Sequence, residues 1–261
     1  MSIAIGVRDS GVGGLTVARC IQQHVPDARL LYFADTAHVP YGERTPEEVR
    51  HYALSISRFL IEQGAQILVF ACNTSSALAL PLARATFDVP IYGTIEPGAL
   101  AAAEQTQSGK VGVLATRATV ESGVYSMYLR AANKALQITE EACPEFVPLV
   151  ENEQTCSDAA REAVQKHLAP LQQAGCDTVV LGCTHYPLLL PLLREAAPEI
   201  CFVDPAENLA ANVALQIEVR SNSTVPEDQF WASGESEGVE RWIEKLLAPA
   251  KVQRGPVFDL T

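Results

Sequence analysis

No run of apolar residues in this 261-residue chain approaches the roughly 20 that a membrane-spanning helix needs. The start, Met1-Ser2-Ile3-Ala4-Ile5-Gly6-Val7, has no basic region ahead of a long apolar core. No secretory leader is therefore expected, and the expected location is the cytoplasm. Basic residues are scarce: 19 Lys and Arg stand against 31 Asp and Glu, a formal net charge of −12. A field of that sign repels nucleic acid and anionic membrane surfaces, which excludes both as main partners. It also repels an acidic small molecule, so any such substrate has to be held by local donors.

Signature motifs of common cofactor and metal sites are missing too. There is no C-x-x-C pair, which weakens zinc and thioredoxin-type readings. There is no G-x-x-x-x-G-K-[ST] phosphate loop. Gly11-Val12-Gly13-Gly14 fails as a dinucleotide fingerprint because Thr16 stands where the third glycine belongs. Its glycines suit close approach of backbone N–H groups to a carboxylate. Seven cysteines, an odd count, cannot all pair within the chain, and reduced thiols are expected.

What is present is a chain rich enough in apolar residues, at 48%, to bury a large core. Short apolar runs alternate with helical patterns, which predicts parallel sheets with crossover helices. The expected strands are 3–7, 30–34, 67–70, 89–92, 111–114, 178–181 and 200–203. A helix is expected over 45–63, with Thr45 as cap, Pro46 in the first turn and Glu48 completing a capping box. Its apolar stripe is Val49, Tyr52, Ala53, Ile56, Phe59 and Leu60, and Gly64 stops it.

An internal repeat organises the chain. Residues 64–74 align without a gap on residues 175–185, which places Cys72 over Cys183 at an offset of 111 residues. At that offset 157–173 falls on the earlier helix, with an irregular last turn expected at Pro170. The expected fold is α/β, with two pseudo-symmetric open parallel-sheet lobes and the active site in the cleft between them. Residues 1–95 together with 207–261 are expected to form the first lobe, and 96–206 the second. Crossings are expected at 95–98 and 204–206. A polar loop at 221–228, a strand near Phe230-Trp231 and a helix over 239–247 should complete the first lobe.

In each half a β-branched run ends in a cysteine followed by small polar residues. Ligands of open parallel sheets bind beyond the carboxyl ends of the strands. One strand-end cysteine is ordinarily core; two at the same step of a repeated unit point to a paired role. Two thiols on opposite sides of a cleft suit inversion of a stereocentre, one removing a proton while the other delivers one to the opposite face. A free thiol with a pKa near ~8.5 needs a helix N-terminus or polar partner to poise it. A histidine two residues after such a cysteine is a candidate for that task, whereas alone it would be structural.

Four segments then carry a resemblance. Residues 9–16 (Asp-Ser-Gly-Val-Gly-Gly-Leu-Thr), 33–44 (Phe-Ala-Asp-Thr-Ala-His-Val-Pro-Tyr-Gly-Glu-Arg), 72–74 (Cys-Asn-Thr) and 182–187 (Gly-Cys-Thr-His-Tyr-Pro) resemble, in order, the glutamate racemase family. The resemblance implies a cofactor-independent enzyme that interconverts L- and D-glutamate and supplies D-glutamate for peptidoglycan. By matching position it implies that Cys72 and Cys183 are the acid/base thiols, with Asp9 assisting Cys72 and His185 assisting Cys183. It further matches Glu151 to an acidic position near the second thiol. It implies that Asp9, Ser10, Tyr41, Gly42, Asn73, Thr74, Thr184 and His185 contact the substrate, and that neither cofactor nor metal is used. The five lysines, which a pyridoxal enzyme would need for a Schiff base, avoid all four motifs. A homodimer is kept as one option for the assembly.

One position departs from the family's pattern. The family usually has an aromatic residue, commonly Phe, before the aspartate; here it is Arg8. Arg8 could pair with Asp9 or Glu151, reach the substrate, perturb Asp9 or obstruct the cleft. The rival readings are a racemase for aspartate or another acidic amino acid, and a catalytically lapsed amino-acid-binding homologue.

Overall fold

A computed structural model of the chain describes residues 3–217, 227–248 and 250–260. The described residues form the strands β1 (Ala4–Asp9), β2 (Arg29–Ala34), β3 (Ile67–Phe70), β4 (Ile91–Gly93) and β5 (Lys110–Ala115). β6 (Gln137–Ala142), β7 (Thr178–Gly182), β8 (Cys201–Val203), β9 (Gln229–Ala232) and β10 (Val252–Arg254) follow. They make two sheets, ordered β10-β9-β2-β1-β3-β4 and β6-β5-β7-β8, and every pairing is parallel. The architecture is thus two parallel-sheet α/β lobes.

The repeat explains the sheet order. Four strands of the first sheet, β2-β1-β3-β4, have the same arrangement as β6-β5-β7-β8. Register carries the correspondence to single residues: Ile5 lies beside Ile67, and Val111 beside Thr178, and Ile67 and Thr178 are repeat mates. Counting along β1 and β5 from those pairs makes Ser10 and Thr116 equivalent. The crossover helices Pro46–Glu62 and Asp158–Ala174 also match in length, at 17 residues each. The first has Thr45 at its N-cap in a complete capping box with Glu48, and Pro46 at its first position. The second is capped by Ser157. Gly64 and Gly175, which follow the two helices, both take positive φ, a backbone conformation in which a Cβ is strained. The helix Asp158–Ala174 continues through Pro170 to Ala174, so the expected irregularity does not end it.

Several boundaries moved. β1 runs two residues past the apolar stretch to include Arg8 and Asp9, both fully buried. Polar residues there look like a loop in sequence, yet their backbones are bonded into the ladder against β2 and β3. β4 and β8 start later than expected, at Ile91 and Cys201. β6 and β10 were not expected. β6 carries Glu140 and Glu141 on a half-buried edge, and β10 is a three-residue, largely exposed edge, so neither has a strong apolar pattern. β9 and the helix Glu237–Leu246 fall where the last strand and helix were expected, and β9 joins the first sheet beside β2. Residues 221–226 of the expected polar loop lie outside the described residues.

The expected crossings coincide with helix starts. Residues 95–98 form the first turn of the helix Ile95–Gln105, and Asp204 caps the helix Pro205–Ala214 through the Ala206 N–H. Gly98 is a contact point between the two: a Cβ there would meet Pro205 Cγ at 2.8 Å. Among the described residues, no helix is long and apolar enough to cross a membrane.

Candidate active site

The carboxyl ends of β1 and β3 in one sheet, and of β5 and β7 in the other, deliver their polar residues to one buried region. In each sheet these are adjacent interior strands, from which connections leave toward opposite edges and beside which ligand sites form. Asp9 ends β1, Cys72 follows β3, Thr116 follows β5 and Cys183 follows β7. Cys72 is 5% exposed and Cys183 6%.

Around Cys183 the side chains form a relay. Its Sγ lies 3.7 Å from His185 Nδ1, and His185 Nε2 lies 2.6 Å from Glu151 Oε1. Glu151 Oε1 also accepts the Val12 N–H at 3.2 Å. Burial alone would lower the pKa of His185, but the hydrogen bonds and charges of Cys183 and Glu151 hold it well above the ordinary imidazole value. Burial pushes Glu151 upward, yet the His185 hydrogen bond and charge and the Val12 N–H keep it below the usual carboxylate range. The imidazole is therefore held between a carboxylate and a thiol in one chain of hydrogen bonds.

Cys72 sits in different surroundings. It occupies the N-cap of the helix Asn73–Leu78. Burial is the largest influence on its pKa and raises it; the Asp9 charge raises it further, while Arg8 and the Ser75 N–H oppose the rise. A charge on Cys183 also acts on it, which places the two thiols in one electrostatic neighbourhood. Asp9 is wholly buried, with Oδ1 accepting the Gly11 N–H at 3.0 Å and Oδ2 accepting the Thr184 hydroxyl at 3.1 Å. Burial raises its pKa, against the His185 charge and the hydrogen bonds from Gly11, Gly14 and Thr184. Asp9 thus joins the two lobes as well as facing Cys72.

The glycines after β1 create the room for this junction. A Cβ on Gly11 would collide with Glu151 Oε1, and one on Gly14 would collide with Asp9 Cβ. One on Gly13 would meet Thr184 Oγ1 at 2.6 Å and the His185 backbone nitrogen at 2.8 Å. None of the three has positive φ, so close approach is their reason. The carboxylates that they admit are the protein's own.

The other expected site residues divide. Thr74 meets Thr116 at 2.9 Å and Thr119 at 3.2 Å, a cluster of three hydroxyls. Gly42 approaches the same Thr116, which a Cβ would meet at 2.6 Å. Asn73 Oδ1 accepts the hydroxyls of Thr94 at 2.9 Å and Tyr125 at 2.6 Å. Ser10 is buried at the end of β1, next to Asp9. The Tyr41 hydroxyl, by contrast, donates to Asp35 at 2.5 Å, so it is committed to the first lobe. Thr94, Thr116, Thr119 and Tyr125 were not singled out in the sequence. The position of Thr116 just past β5 was the one signal available, because it is the repeat equivalent of Ser10.

Arg8 pairs with neither Asp9 nor Glu151. Strand alternation turns it to the opposite face of the sheet from Asp9, and Glu151 is engaged with His185 and Val12. Among the described residues no group of three or more His, Cys, Asp or Glu side chains converges as a metal site.

Comparison with known proteins bears on this constellation. Residues 15–213 match the family model described as Asp/Glu/Hydantoin racemase. The chain is 44% identical over 236 residues to glutamate racemase from Desulforudis audaxviator, covering 90% of this chain and 85% of that protein. Its fold superposes on the crystal structure of a glutamate racemase from Bacillus anthracis with a TM-score of 0.92, at 32% identity and 98% coverage of both chains. It is also similar to Escherichia coli glutamate racemase solved with L-glutamate and the activator UDP-MurNAc-ala. There the TM-score is 0.79, the identity 31% and the coverage 94% of each chain.

Proposed function

The chain belongs to the Asp/Glu/Hydantoin racemase family, and on that premise we propose that it interconverts L- and D-glutamate by proton transfer at Cα between Cys72 and Cys183. The observation that carries this reading is the placement of two repeat-related, buried, strand-end cysteines in one polar cluster drawn from both sheets. In one direction the Cys72 thiolate takes the Cα proton, and the Cys183 thiol gives its proton to the opposite face of the resulting carbanion. The reverse direction exchanges the roles. His185, held protonated by Glu151, sets the proton on Cys183, and Asp9 acts at Cys72. Ser10, Gly42, Asn73, Thr74 and Thr184 offer neutral donors and acceptors for the substrate's carboxylates and ammonium, which suits a chain whose own field repels an anion. Tyr41, whose hydroxyl donates to Asp35, completes the set expected at the substrate.

Both thiols are nearly closed off, so the lobes must part to admit substrate and then close to exclude water. The lobes in this reading are residues 1–95 with 207–261, and 96–206. The product supplies peptidoglycan synthesis in the cytoplasm.

The test is exchange of the Cα proton of each glutamate enantiomer in deuterated water, with racemisation followed in parallel. Cys72→Ala and Cys183→Ala should each abolish racemisation. If both retained wild-type exchange, the two-thiol mechanism would be wrong. Assay of aspartate alongside glutamate separates the family's possible substrates.

A further inference from the structure

Arg8 is a fully buried cation with little to hold it. Among the described residues it has no salt bridge. Its Nε and Nη1 have no hydrogen-bond partner, and its one hydrogen bond is a long contact of 3.5 Å from Nη2 to the Tyr41 hydroxyl. Its guanidinium lies 4.7 Å from the centroid of Phe70 and 5.7 Å from that of Tyr41. Behind the Tyr41 hydroxyl stands Asp35, which is already engaged by Tyr41, His38 and Ser233. A buried charge left so poorly compensated is costly and marks a functional constraint.

The strand geometry shows what the charge faces. Arg8 stands beside Phe70 in the β1–β3 ladder. Cys72 lies two residues beyond Phe70, in the same apolar cluster as Phe70 and Tyr41. Arg8 therefore shares a sheet face with the sulfur, whereas Asp9 comes from the other side of β1. We propose that Arg8 is a positioning residue that stabilises the Cys72 thiolate through space, as the counter-charge for an anion that forms there only when the thiol is ionised. This rests on the racemase reading for its purpose, but not for its chemistry.

The groups facing Cys72 support this assignment. Asp9 from β1 and Cys183 beyond β7 disfavour the thiolate, as burial does; Arg8 from β1 and the Ser75 N–H favour it. Tyr32 and Tyr41 also feel a Cys72 charge, and burial holds both phenols well above their ordinary pKa, so they stay neutral. The repeat-related thiols thus have different neighbours: a buried arginine on the sheet face of Cys72, and a histidine–glutamate pair beside Cys183.

The test measures alkylation of Cys72 by iodoacetamide across a pH series in the intact protein. Mass spectrometry can read it out alone, because the tryptic peptide 59–84 holds Cys72 and no other cysteine. Arg8→Met should move the pH midpoint up by about one unit, making alkylation near pH 7 roughly tenfold slower relative to its high-pH plateau. Arg8→Lys should recover most of that shift. Altered access to a buried thiol changes the plateau but not the midpoint, so a merely structural role is distinguished. If Arg8→Met folds poorly, Arg8→Gln serves as the neutral variant under the same criterion. An unchanged midpoint in the neutral variant, or a lysine variant that behaves like it, overturns the proposal. Racemisation measured on the same samples keeps the two readings apart: a midpoint shift in a protein that racemises no amino acid would uphold Arg8's role and sink the function.

Discussion

Replacing Glu151 by glutamine removes one charge while keeping the side chain's shape. The substituted amide could still offer its carbonyl oxygen to His185 Nε2, 2.6 Å away in the native contact, and to the Val12 N–H, 3.2 Å away. What disappears is the charge assistance. A hydrogen bond to a charged group contributes about 1.5–3 kcal/mol and a neutral one about 0.5–1.5 kcal/mol, so the loss is about 1–2 kcal/mol. If that energy is felt in the transition state, kcat/KM falls roughly 5- to 30-fold. The fall must be equal for both enantiomers, because L- and D-glutamate have the same free energy and the ratio of the two kcat/KM values cannot depart from unity. A polarimetric assay in both directions checks this, and any asymmetry in kcat has to be matched by an equal asymmetry in KM. The pH profile supplies a second readout. Glu151 helps raise His185 above the ordinary imidazole value, so the variant's His185 limb moves to lower pH. Stability follows with the same sign. A raised folded-state pKa gives stabilisation that is complete below the unfolded value and is lost as pH climbs through the folded value. Wild type should therefore lose Tm over that upper window, and the variant should lose less. Wild-type kcat/KM and an unmoved pH profile in Glu151→Gln would refute the relay, and with it the assignment of His185 to Cys183.

Two further substitutions test how the site is built. Gly13→Ala would press a methyl group against Thr184 and the His185 backbone, so kcat/KM should fall at least about tenfold, with stability reduced by about 1–3 kcal/mol from overpacking. Wild-type kinetics in that variant would show that the lobes do not depend on this close approach. Thr45→Ala removes the reciprocal cap of the helix Pro46–Glu62, far from both thiols in the chain, and should cost about 1 kcal/mol, or roughly 2–4 °C in Tm. Racemisation should be unaffected at a temperature where the variant is folded.

The repeat made much of the fold legible before any coordinates. Two aligned segments containing Cys72 and Cys183 implied two parallel sheets, and the offset carried the 17-residue crossover helices with it. Thr45, Pro46, Glu48 and Gly64 marked one helix at both ends because capping is local chemistry between residues three or four apart. β6 was hidden because an edge strand bearing Glu140 and Glu141 has no need of an apolar face. The end of β1 was hidden because Arg8 and Asp9 read as a loop, although their backbones are held in the ladder. At the site, motif position brought out Asp9, Cys72, Glu151, Cys183 and His185. Thr116, Thr119, Thr94 and Tyr125 remained invisible because hydroxyl residues are common and only their convergence is informative.

The sequence by itself determined that the chain builds two similar parallel-sheet units, how its best helix starts and stops, and which two cysteines stand at equivalent steps. These follow from periodicity, capping and repetition, all of which act over short stretches of chain. Tertiary structure alone decided which side chains surround each thiol. Glu151 lies 34 residues before His185 and reaches it because the lobe folds back on itself, so their ion pair has no local signature. The direction of Arg8 was likewise settled by strand alternation and by the aromatic face of Phe70 and Tyr41 that receives it. Electrostatic poise depends on distance and burial, and both are set only when remote segments meet.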